Sequence, residues 1–208
     1  MVAVRSFVGE LCRPADTGDL MLDRPVQLRL VHDRDHYEVV VDEAIRHAQV
    51  SLWIATANVK ELHVEPSAGT RARARRRYVS ILSVLGDLAE RGVELRLLHG
   101  APPSRPFREA LPAVPTLADG GLELRLCPRV HFKMVAVDGR LLYLGSANLT
   151  GAGLGAKGDG RRNFESGIVT DDEGLLDAMQ ERFDQIWSGR ECDGCRLRRS
   201  CPAPLDAG

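Results

Sequence analysis

The chain has 208 residues, 44% of them hydrophobic and 27% charged, with a formal net charge of −1 at pH 7. That length buries the core of one α/β domain, and the near-cancelling charge excludes a chain whose overall field announces nucleic acid. No stretch is long and apolar enough to span a bilayer. The opening residues, MVAVRSFVGELCRPADTGDL, lack the charged start, apolar run and small-residue cleavage site of a signal peptide, so a cytoplasmic protein is expected.

Residues 1–24 read as an N-terminal arm, 25–189 as the main domain and 190–208 as a Cys-rich tail. A strand is expected within 26–30. Over 36–48 (HYEVVVDEAIRHA), Val39, Val40, Ala44, Ile45 and Ala48 recur on one side, which predicts a helix. Residues 50–56 (VSLWIAT) read as a buried strand. Tyr78, Ile81, Leu82, Leu85 and Leu88 have helical spacing within 70–91, and Gly92 closes that helix. Residues 93–98 and 122–126 are strands, separated by a Pro-rich loop with a short helix. Strands at 130–137, 140–144 and 164–170 and a closing helix at 175–188 complete the chain. This alternation predicts an α/β fold with a mixed, largely parallel sheet and helices on both faces.

One stretch, VHFKMVAVDGRLLYLGSANLTGAG, carries the chemistry. It reads His131-x-Lys133-x4-Asp138-x6-Gly145-Ser146-x-Asn148. Two apart on a strand, His131 and Lys133 share a face. Asp138-Gly139 is a strong two-residue hairpin signal, and the return strand ends where Gly145 lets the backbone turn. Ser146 and Asn148 are expected at the start of a short helix, whose N–H groups favour an anion. Histidine, lysine and asparagine so placed gather round one phosphate. Singly, Asp138 reads as a turn residue, Lys133 as an edge-strand gatekeeper, His131 as a core histidine and Ser146 as a helix cap. Their joint spacing is what the functional reading rests on.

All six positions resemble the HKD signature of the phospholipase D superfamily, and Arg162-Asn163-Phe164-Glu165-Ser166-Gly167 resembles the segment that supplies a supporting acid there. With lower specificity, the arrangement of elements extends the resemblance over roughly residues 30 to 188. The resemblance implies a phospholipase D-like α/β(α) sandwich over 25–189 and cleavage of phosphodiesters through a phosphohistidine, with no cofactor for catalysis. In that superfamily two motif copies meet. None of His32, His36, His47, His63 and His99 is followed by Lys at the second position, so this chain carries one copy. A homodimer with a shared active site is therefore implied, as in the small single-motif bacterial nucleases. His131 of one subunit attacks phosphorus and His131 of the other protonates the leaving oxygen. Lys133 and Asn148 hold the non-bridging oxygens, Ser146 assists, Glu165 orients His131, and Asp138 supports the hairpin.

Nucleic acid is the favoured substrate, DNA or RNA. Arg71, Arg73, Arg75, Arg76 and Arg77 cluster before and into the 70–91 helix, and Lys157, Arg161 and Arg162 follow the motif. They are candidates to track a phosphate backbone, against a solvated helix start. A phospholipid phosphodiesterase and a nucleic-acid-binding module with little turnover stay open, as does a place among the partner proteins of a defence or repair system. In the tail, Cys192-x2-Cys195-x5-Cys201 suggests metal rather than disulfides in a cytoplasmic protein. Cys12 or Cys127 supplies the fourth ligand of a structural zinc or iron–sulfur centre. The bland reading is a flexible tail of reduced thiols.

Overall fold

The structure, a computed structural model, describes residues 25–66 and 78–206. Its main strands are β1 (Arg29–His32), β2 (Ser51–Thr56), β5 (Glu94–His99), β6 (Glu123–Leu126), β7 (Lys133–Val137), β8 (Leu141–Gly145) and β9 (Ser166–Thr170). They form one sheet in the order β1-β9-β8-β7-β2-β5-β6. A separate small ladder pairs β3 (His63–Val64) with β4 (Val79–Ser80).

The α/β class, the mixed sheet and the helices on both faces are as the sequence predicts. The expected balance of pairings is corrected. Only β2–β5 and β5–β6 are parallel among the pairs of the large sheet. The pairs β2–β7, β7–β8, β8–β9 and β1–β9 are antiparallel. A three-residue turn, residues 138–140, joins β7 to β8, and the chain from β8 to β9 is a series of turns without a crossover helix, so these strands return beside their neighbours.

Period-two alternation sorts the strand residues into two cores. Leu52, Ile54, Leu95, Leu97, Val135 and Val137 join one, together with helices α1 (His36–Ala44) and α2 (Ile81–Glu90). Ala55, Leu98, Met134, Ala136 and Leu142 join the other, beneath α4 (Glu173–Trp187). The short α3 (Arg105–Ala110) adds Phe107 to the first core. On the α4 side, Phe183 stacks between Trp53 at 5.3 Å and Trp187 at 5.4 Å. The Arg96 guanidinium lies over Trp53, and that of Arg125 over Trp187. Offset aromatic stacks and cation–π contacts of this kind tie the helix to the sheet beyond simple area burial.

Helix ends depart from expectation for local reasons. The helix expected over 36–48 is π-helical over His36–Ala44 and closes in a 3₁₀ turn, Ile45–His47. The described part of the 70–91 helix begins only at Ile81, where extended Ser80 accepts from Leu82 N at 3.0 Å and caps it. Residues 67–77, and with them Arg71, Arg73, Arg75, Arg76 and Arg77, lie outside the described residues, as does Cys12. Asp172 caps α4 by accepting from Leu175 N at 3.0 Å. Among the described residues no helix is long and apolar enough to cross a membrane.

Two buried histidines give the fold a pH dependence. Burial lowers the proton affinity of both His36 and His99, each of which has a backbone carbonyl at Nδ1. Both are therefore neutral in the folded state where the unfolded chain already takes up protons. Stability rises with pH in that window and falls as pH drops below about 6.5, the unfolded value. Thermal melting is expected to weaken steadily between about pH 7 and pH 5. His36→Gln should remove part of that slope; an unchanged slope would show that His36 does not contribute.

Candidate active site

One end of the sheet collects the signature. The β7 start (Lys133) pairs with the β8 end (Gly145), which pairs with Gly167 of β9. The ends of β1 and β2 close on the same edge, through His32 opposite Ser166 and Ala55 opposite Met134. The strand expected over 130–137 begins only at Lys133, so His131 stands just ahead of it, exposed to solvent. An exposed histidine is not the satisfied core histidine of the bland reading. The Lys133 ammonium folds back to donate to the His131 backbone carbonyl at 2.6 Å.

Beyond β8 the expected short helix is absent. Residues 149–155 form successive turns instead, with Thr150 N donating to Asn148 O at 2.7 Å and Leu154 N to Thr150 O at 2.9 Å. The anion site at a helix start is corrected accordingly: side chains in a turn, rather than a helix N-terminus, surround the motif's end. Asn148 Oδ1 accepts from Asn58 N at 3.0 Å and from Thr56 Oγ1 at 3.2 Å. That fixes the amide with its oxygen toward β2 and leaves its NH2 group for a ligand.

Glu165 sits between Asn163 and Ser146. Its Oε1 accepts from Asn163 Nδ2 at 3.0 Å, and Oε2 forms a very short hydrogen bond with Ser146 Oγ. Ser166 N in turn donates to Ser146 Oγ at 3.1 Å. Each carboxylate oxygen of Glu165 thus has one partner, Ser146 or Asn163, and keeps a second lone pair for a further donor. The backbone of Glu165 is clasped by Asp33: Glu165 N donates to Asp33 Oδ1 at 3.0 Å and Asp33 N to Glu165 O at 3.1 Å. His32 reaches Ser166 Oγ at 3.0 Å.

Asp138 is not part of this edge. It terminates β7 with φ +56°, beside Gly139 at +61°, both as a tight primed turn demands. Its carboxylate accepts from Gln49 N, Val50 N and Ser51 N at 2.7 to 3.0 Å. Five residues along an extended strand, it is about 16 Å from Lys133. Gly145 also has a different role from the turn assigned to it, since its φ is not positive. A Cβ there would fall 2.7 Å from Tyr143 Cζ, and one on the paired Gly167 3.0 Å from the same atom. The Tyr143 ring thus lies across two opposed glycines, and its hydroxyl accepts from Ala147 N at 3.3 Å, bracing the loop that carries Ser146 and Asn148. Burial pushes its hydroxyl up to about 12.

Several supporting residues carry no local sequence signal. Thr56, Asn58, Asp33 and Asn163 act through partners remote in sequence or through loop geometry. His36, wholly buried and edge-on to Tyr143 at 5.4 Å, has Nε2 buried without a hydrogen-bond partner among the described residues. Arg162 is ion-paired with Asp159. Lys157 and Arg161, with His63 and Tyr78, line an open depression that adjoins Gly151 of the motif loop. Phe164, next to Glu165, is 96% exposed.

The tail is not loose. Leu205 packs on the α4 core, and Gly189 (φ +79°) passes so close to the backbone of Leu205 and Asp206 that a Cβ would overlap them. Cys127, Cys192, Cys195 and Cys201 are free thiols around one small cavity. Among the described residues, no group of three or more His, Cys, Asp or Glu stands in the arrangement of a formed metal site.

A family model described as cardiolipin synthase, PLD-like domain, matches residues 41–187. Among solved structures, the chain is similar to Nuc from Salmonella typhimurium, described as a phospholipase D family member. Identity is 20% and the TM-score 0.52, over 79% of this chain and 95% of that one. It is also similar to NucT from Helicobacter pylori, at 15% identity and a TM-score of 0.50, over 76% of this chain and 95% of that one. No curated protein matches the sequence.

Proposed function

The chain belongs to the phospholipase D superfamily, through its PLD-like domain, and from that premise we propose that it is a nuclease cleaving DNA or RNA phosphodiesters through a phosphohistidine. The observation that carries this reading is the meeting, at one sheet edge, of His131 and Lys133 before and at the start of β7 with Ser146 and Asn148 after β8. A single signature per chain supplies one histidine, so two chains form a homodimer and share the site. The His131 imidazole of one chain attacks phosphorus; a nitrogen–phosphorus bond forms as the bond to the leaving oxygen breaks. His131 of the second chain gives that oxygen its proton, then takes one from the water that releases the phosphate. The Lys133 ammonium and the Asn148 NH2 group neutralise charge on the non-bridging oxygens. Ser146, held by Glu165 and Ser166, fixes the loop that carries Asn148.

Nucleic acid is favoured by what surrounds the motif. Phe164 offers an exposed ring beside Glu165, and Tyr78, Lys157 and Arg161 line the adjoining depression. Rings for bases next to cations for phosphates are the elements of a single-strand track. A cytoplasmic setting, in which thiols stay reduced, is part of this reading. The test is cleavage of labelled single- and double-stranded DNA and RNA in EDTA. Metal-independent cleavage is expected. Head-group release from phospholipid vesicles with no nucleic-acid cleavage would replace the nuclease reading by a lipid one, and tight binding without cleavage would reduce the protein to a binding module.

The Asn148 amide gives a sharper check. Asn148→Asp keeps the acceptor used by Asn58 N and Thr56 Oγ1 but exchanges the NH2 donor for negative charge facing phosphate. Turnover is expected to fall roughly a hundred- to a thousandfold with melting unchanged. Near-normal turnover in this variant would remove Asn148 from the phosphate site.

A further inference from the structure

We propose that Cys127, Cys192, Cys195 and Cys201 form a four-thiolate site for a single zinc-class divalent ion, which locks the C-terminal tail to the segment leading into His131. The sequence spacing alone left Cys12 and Cys127 as rival fourth ligands; here the described fold brings Cys127, from 65 positions before Cys192 in the chain, to the three tail cysteines. All four cysteines line one cavity, walled otherwise by groups such as Leu126, Ile186 and Leu205.

Three features fit this pocket to a metal. First, backbone N–H groups are already aimed at sulfur. Cys195 is approached by the N–H of Leu197 and Arg198, two and three residues on; at Cys127 burial pushes the thiol up, against the N–H of Arg129 two residues on. Turns that offer N–H groups to a sulfur stabilise it as an anion, the form that ligates. Positive φ at Gly194 permits the tight path between Cys192 and Cys195, whose backbone closes with Cys195 N on Cys192 O at 3.2 Å. Second, charge is provided for. Four thiolates around a divalent ion leave two negative charges, and the Arg129 guanidinium hydrogen-bonds Cys195 while Arg198 also lines the cavity. Third, the donor set suits the ion: four cysteine sulfurs are the ligands of many tetrahedral structural zinc sites. The thiols are not drawn in to ligating positions, and rotation about χ1 in each cysteine redirects its sulfur without moving the backbone.

The site has a function to serve. Cys127 is four positions before His131, and Val130 N donates to Cys127 O at 2.9 Å between them. Cys127 N itself bonds His99 O at the end of β5 at 3.0 Å. An ion at Cys127 therefore fixes the approach to the exposed His131 from a point outside the sheet edge.

The experiment is metal analysis of the full chain expressed with both zinc and iron supplied, followed by cobalt substitution of the metal-free protein under reducing conditions. One zinc per chain is expected, released in step with modification of four thiols by a mercurial. Cobalt should give intense sulfur-to-metal charge-transfer bands and tetrahedral ligand-field bands. Cys127→Ser and Cys201→Ser should each weaken zinc binding roughly a hundredfold or more, and Cys12→Ser should leave it unchanged. Cys201 lies in the tail, so its variant reads the site even where Cys127→Ser fails to fold. Absence of metal in both the purified and the reconstituted protein would overturn the proposal. So would iron with inorganic sulfide in place of zinc, or a Cys12→Ser variant as impaired as Cys127→Ser.

Discussion

Replacing His131 by alanine is expected to remove metal-independent cleavage by roughly four to six powers of ten, the scale on which an enzyme loses its nucleophile. The melting temperature should stay within about a degree of wild type. The second expectation follows from placement: His131 is exposed and precedes β7, and among the described residues only its backbone carbonyl has a hydrogen-bond partner, accepting from Lys133. Loss of activity with intact stability would separate chemistry from folding. Mixed dimers extend the test. A dimer of one wild-type and one His131→Ala chain has a nucleophile without its acid, or an acid without its nucleophile. Co-folding wild type with excess variant should therefore suppress activity well below the fraction of wild-type chains. Activity simply proportional to that fraction would show that each chain works alone, and wild-type hydrolysis by the pure variant would refute the mechanism.

Asp138→Ala should act in the opposite way, on folding and not on chemistry. The carboxylate accepts from three consecutive backbone N–H groups at the start of β2 and itself sits at φ +56°. Hydrogen bonds to a charged acceptor each contribute about 1.5–3 kcal/mol and do not add fully. A net loss of about 2–4 kcal/mol is expected, which lowers the melting temperature by roughly 5–15 °C in a domain of this size. Asn at the same position tolerates the left-handed turn and keeps one acceptor oxygen, so Asp138→Asn should lose markedly less. Measured well below its transition, the alanine variant should cleave at a rate close to wild type. A variant that melts normally but no longer cleaves would mean that the distant end of β7 reaches the chemistry after all.

The parts of this protein that were legible in sequence are those with a local cause. The Asp138-Gly139 hairpin follows from two residues that accept positive φ. The buried β2 run and the α4 helix follow from apolar pattern, and the gathering of the signature at one sheet edge follows from the hairpin. What escaped depends on partners far away in the chain. Nothing near Asp138 announces that Gln49, Val50 and Ser51 will donate to it. Likewise, nothing near Asn148 points to Asn58 and Thr56. Strand pairing has the same non-local character: alternation of elements suggested parallel strands, while the returns after β7 and β8 made the sheet mainly antiparallel. Resemblance picked out Glu165, but its contacts with Ser146 and Asn163 depend on side-chain reach. His36 gave no sign because a buried histidine in an apolar helix looks like any polar interruption.

The ring of Tyr143 lying over Gly145 and Gly167 has a consequence for how such a site can change over generations. Adding a methyl at either glycine collides with the ring, and a smaller residue at 143 leaves an unfilled notch beneath the motif loop. Shrinking residue 143 does not free the glycines either, because a Cβ at 145 would still meet Ser166 O at 2.8 Å and one at 167 would meet Leu144 O at 2.9 Å. The strands themselves bar a side chain at both positions, so in relatives of this chain glycine should persist at 145 and 167 whatever fills 143.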